Sequence, residues 1–161
     1  MVAFASLDHL LILLFLGLIC WAALHDAMAF RIPNWVSVGL LLLYPLHVFA
    51  SDAAIDWQSG LLTGGMVFLA GFIVFAKGIC GGGDVKLLSA ASLWAGTTLL
   101  FPLLMVMALT GGVLSGAALL SRNARRRRDP GKALECADTH VPYGMAISFG
   151  AALVGLHLLN G

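Results

Sequence analysis

Gly81-Gly82-Gly83-Asp84-Val85-Lys86 sets three glycines and a carboxylate between the apolar run 59–76 and another that begins at 84 or 85. A carboxylate beside bilayer-length hydrophobic segments is costly, so its default reading is functional. Consecutive glycines lack helix propensity and admit backbone conformations closed to other residues, which lets a strand-like peptide or a neighbouring helix come close to Asp84. The plainer alternative is a glycine-rich corner whose aspartate caps the next helix. The rest of the chain decides between them.

On either side of this stretch the composition leaves little choice of class. The 161 residues are 60% hydrophobic and 11% charged, with a mean hydropathy of +0.97. One soluble core cannot hide that much apolar surface, which implies an all-α membrane protein. Apolar runs cover 7–24, 35–50, 59–76, 84 or 85 to about 94, 99–120 and 141–159. With about 20 apolar residues needed per crossing, they predict six transmembrane helices in a single domain, 1–161. The first run has no basic segment before it and five apolar runs after it, so it is expected to remain as a span rather than be removed as a signal peptide. Pro33 marks the boundary before the second run, Tyr44-Pro45 a kink within it, and Ala95-Gly96-Thr97-Thr98 a turn. Gly60, Gly64, Gly65 and Gly71, and again Gly112 and Gly116, suit close helix packing in a bilayer. Cys20, Cys80 and Cys136 form no C-x-x-C pair, so no metal or redox site is expected of them.

Charge gives the orientation. If the first crossing runs outside to inside, Arg31, Lys77, Lys86, Arg122, Arg125, Arg126, Arg127, Arg128 and Lys132, all nine basic residues, fall on the inner side. That partition places both termini outside and makes 121–140 a cytoplasmic basic loop, at which anionic lipid is a candidate partner. The net charge of +1 gives no reason to expect a nucleic-acid partner.

The same topology brings Asp26 and Asp84 to one membrane face, each at the end of an apolar span. Asp8, Asp52 and Asp56 fall on the outer side, and Asp129, Glu135 and Asp138 lie in the polar loop. Two carboxyl groups about 3 Å apart share a proton, so the charged one can deprotonate water while the neutral one protonates a scissile carbonyl. This is aspartic protease chemistry, which needs no metal or other cofactor. It suits a chain without H-E-x-x-H, G-x-S-x-G or a Cys/His arrangement. Gly81 and Gly83 are then the positions that let substrate backbone reach Asp84. Asn34 and Tyr143 are candidate hydrogen-bond donors behind the pair, and Lys86 joins them as a candidate partner for a carboxylate, although snorkelling toward headgroups is the stronger reading. His25 adjoins Asp26 but points to another helix face. His47 and His157 read as buried or interfacial.

These residues resemble a known family. Gly81-Gly82-Gly83-Asp84 is similar to the G-x-G-D motif of the type IV prepilin peptidases, Asp26 with Ile32-Pro33-Asn34 to their first catalytic aspartate and its downstream I-P-N, and Val141-Pro142-Tyr143-Gly144 to their P-Y-G segment. The resemblance covers nearly the whole chain. It implies a six-span G-x-G-D aspartic endopeptidase that removes the short basic leader of a prepilin or pseudopilin with a single membrane helix. It places that reaction at the cytoplasmic face of a prokaryotic inner membrane, with Asp26 and Asp84 as the catalytic pair. The size matches the short branch associated with Flp-type (tight adherence) pili, the CpaA/TadV type. Longer members carry a cytoplasmic domain with paired cysteines and N-methylate the new N-terminus. The loop 27–34 has no room for that domain, so methyltransferase activity is not carried over. A preflagellin-type peptidase would use the same chemistry, whereas a signal-peptide-peptidase-like enzyme would show Tyr-Asp where His25-Asp26 stands. A small proton-coupled transporter could use the same two aspartates.

Overall fold

The structure, a computed structural model, describes residues 2–51, 55–128 and 143–160. The described residues form five helices and no strand: α1 (Val2–Ala29), α2 (Asn34–Ala50), α3 (Trp57–Ala76), α4 (Gly82–Arg128) and α5 (Tyr143–Asn160). Four helices are long and apolar enough to cross a membrane, and α2 is a shorter apolar helix. Leu61, Leu62, Met66, Leu69, Phe72 and Ile73 of α3 all stand exposed, an apolar surface that lipid rather than water suits.

α1 runs past its apolar stretch to Ala29, which puts Asp26 in its last turn rather than in the connection. The chain leaves α1 through Phe30, whose φ of 51° is left-handed. His25 Nδ1 donates to the Arg31 carbonyl at 2.7 Å and fixes this corner. Pro33 then stands at the N-cap of α2. Pro45 lies inside α2, which stays helical across it. At the start of α3 the Asp56 carboxylate accepts from the Ser59 amide at 3.1 Å, satisfying one of the amides a helix start leaves open.

The fourth and fifth apolar runs form one helix by hydrogen bonding, interrupted at Gly96, where φ is 55° and ψ is −166°. That conformation is essentially closed to other residues. The chain reverses there. Along 82–95, Val85 packs on Gly71 and Leu93 on Gly64, so this arm runs antiparallel to α3. Beyond Gly96, Leu103 packs on Gly150 and Gly111 lies against Ala146, so the second arm runs antiparallel to α5. α5 is in turn antiparallel to α1, with Gly155 on Phe15 and Leu16 and Gly144 on Asp26. The first turn of α5, the last turn of α1 and the start of α4 therefore share one end of the bundle. α4 stays helical to Arg128, so 121–128 of the expected loop belong to it, while 129–140 lie outside the described residues.

Trp94, 4% exposed, ties the opposite half together. Its ring lies 4.5 Å from that of Phe15 and stacks on His47 at 4.8 Å, and its indole N–H donates to the Leu40 carbonyl at 3.0 Å. His47 Nδ1 bonds to Asp8, which joins α2 to α1.

Candidate active site

Asp26 is 4% exposed. Its Oδ2 accepts from the Met145 amide at 3.0 Å, and the Gly144 amide donates to the same carboxylate. Both amides belong to the first turn of α5, where backbone N–H groups have no partner inside the helix and the dipole favours negative charge. A Cβ on Gly144 would stand 2.7 Å from Asp26 Cγ, Asp26 Oδ2 and Ile32 Cδ1, so only glycine fits this contact.

Asp84 is half-buried in the first turn of α4 and accepts from the Gly81 amide. The charge of Asp26 reaches the Asp84 carboxyl. Ile32 stands against both halves of the site: besides its contact with Gly144, its Cβ would lie 3.4 Å from one added at Gly83. The glycines act here through space rather than conformation. The left-handed glycine of this turn is Gly78, with φ 71°, whereas Gly81, Gly82 and Gly83 have ordinary φ values. A Cβ on Gly81 would meet Asp84 Oδ2 at 3.1 Å, and one on Gly82 would meet the Phe75 ring at 3.2 Å.

Of the other sequence candidates, Lys86 and Asn34 meet each other. Lys86 Nζ donates to Asn34 Oδ1 at 3.1 Å and ties α4 to the start of α2 instead of extending alone. They stand at one end of a cavity of about 490 Å³ between α2, α3 and the first arm of α4, further lined by Ser37, Leu41, Leu61 and Phe68. Tyr143 is 49% exposed. The backbone of the next two residues, Gly144 and Met145, carries the contact to Asp26; Pro-Tyr-Gly was the only sign of it in the sequence. Cys80, in the turn before α4, is partly buried; burial pushes its thiol up, and the charge of Asp84 pushes the same way.

Two neighbouring carboxyl groups, one held by two amides of α5 and the other by the Gly81 amide, can pass a proton between water and a peptide carbonyl without any other side chain. The chain is similar to the prepilin leader peptidase/N-methyltransferase of Bacillus subtilis (strain 168), with 27% identity over 158 residues, covering 94% of this chain and 57% of the relative. The chain thus spans little more than half the length of that protein. No solved structure matches it significantly. The model of the type IV leader peptidase family matches residues 12–116, which include Asp26, Ile32-Pro33-Asn34 and Asp84, and the chain belongs to that family.

Proposed function

We propose that this protein is an aspartic endopeptidase that removes the basic leader of a prepilin-like protein with a single membrane helix. Asp26 and Asp84 activate the water, one taking its proton while the other donates to the scissile carbonyl. The observation that carries the reading is that α1 and α4 bring these two aspartates to one end of the bundle, on either side of Ile32. Gly81 keeps the approach to Asp84 clear for substrate backbone, while Gly83 gives room to Ile32 beside it. Lys86 and Asn34 brace the α4 and α2 ends beside it.

The reaction is placed at the cytoplasmic face of the inner membrane. Six crossings, counting the two arms of α4 separately, keep both termini outside. Supporting this, Arg31, Lys77 and Lys86 lie in segments at the aspartate end, while Asp8 and Asp56 lie toward the other. Anionic lipid on the inner side is the proposed partner of the basic run 125–128. The branch is the short one that processes Flp-type pilins. The connection between α1 and α2, residues 30–33, holds no second domain, so methylation is not part of the proposed activity.

Co-expression with a candidate prepilin, followed by mass spectrometry of the mature N-terminus, tests the cleavage. The expected product is a pilin shortened at one bond, and the same spectrum reads any methyl group. An unprocessed pilin in the presence of well-inserted enzyme would refute the proposal.

A further inference from the structure

The two aspartates are held differently, and the difference lies in α5. Asp26 accepts from the amides of Gly144 and Met145, 119 residues away for the latter, inside a contact too tight for any Cβ at position 144. In a helix start those amides have no other partner within the helix. We propose that the first turn of α5 is a carboxylate clamp, with Gly144 and Met145 as positioning residues that fix the Asp26 carboxylate for reaction with Asp84. The inference rests on the aspartic peptidase reading of the pair.

The clamp acts through backbone, which dictates the test. Proline is tolerated in the first turn of a helix, because the amide it removes has no intrahelical bond to lose. Met145→Pro therefore deletes the donor and turns its ring Cδ against the carboxylate, both of which dislodge Asp26, while Met145→Ala removes the side chain and keeps the donor. Misplacing a reacting group by about 1 Å costs about 100-fold in rate. The kcat of Met145→Pro is accordingly expected to fall about 100-fold below that of Met145→Ala, with the two KM values equal. Equal kcat values would overturn the clamp, as would a rise in KM alone.

A second measurement needs no activity. Amide hydrogen exchange at Gly144 and Met145 is expected to be slow in the intact protein and fast in Asp26→Ala, with the rest of α5 unchanged. If Met145→Pro does not accumulate, this comparison decides, and unchanged exchange at both amides refutes the clamp. Asp26→Asn is assayed beside these variants. If it abolishes cleavage while Met145→Pro matches Met145→Ala, the clamp fails and the peptidase reading stands. If Asp26→Asn cleaves normally, the peptidase reading itself has failed.

Discussion

Asp26 can be neutralised by one atom's exchange, to Asn, without altering the volume that Gly144 and Ile32 enclose. Asp26→Asn and Asp84→Asn are each expected to abolish leader removal while the protein still inserts, because either change ends the shared-proton cycle. The two groups act as a unit, so the double variant should be no worse than either single one. The fraction of pilin processed, compared at equal membrane content of enzyme, checks this. Cys80 offers a reporter on Asp84 that does not depend on substrate. Its thiol is pushed up first by burial and then by the Asp84 charge, so less thiolate forms at neutral pH than on a free cysteine. Replacing Asp84 by Asn removes the second cause, and the pH profile of Cys80 alkylation should move to lower pH. With Cys20 and Cys136 replaced by Ser, rates measured from pH 7 to 10 read this out; superimposable profiles would mean that Asp84 carries no charge felt at the turn.

Among the elements, α4 packs against α3, α5 and α2, and its Trp94 touches both α1 and α2. Truncating a buried aromatic costs about 3–5 kcal/mol, so Trp94→Ala should lower thermal stability in detergent markedly, freeing both Phe15 and His47. Near-native unfolding of that variant would show that the bundle is held elsewhere. Much of this element layout was legible in advance. Long apolar runs can be little else than helices, Pro33 marked a true boundary, and Ala95-Gly96-Thr97-Thr98 located the turn because glycine is the residue such a conformation demands. Asp26 and Asp84 were legible because charge beside apolar sequence is conspicuous. The extension of α1 to Ala29 was not, since Ala27, Met28 and Ala29 continue a helix as readily as they begin a loop. The donors of Gly144 and Met145 were equally hidden, because a backbone amide is present at every residue but proline and leaves no mark in composition. The pairing of Lys86 with Asn34 joins residues far apart in sequence, and nothing in either neighbourhood announces the other.

For the whole molecule, the charge partition predicts that reporter fusions at 51–56 are external and fusions near Arg126 internal; an external signal at Arg126 would separate the basic run from the aspartate face. The same assay bears on Gly96. A leucine there must adopt a conformation that side chains avoid, and its Cβ would stand 2.9 Å from Ser59 Oγ. Gly96→Leu should therefore favour straightening of the reversal into continuous helix, and a share of molecules should show the reporter at Arg126 on the outer side. The missing Cβ of a single glycine would then set the parity of the chain's passage through the bilayer, and with it whether Asp26 and the amides that hold it are delivered to one compartment or to two.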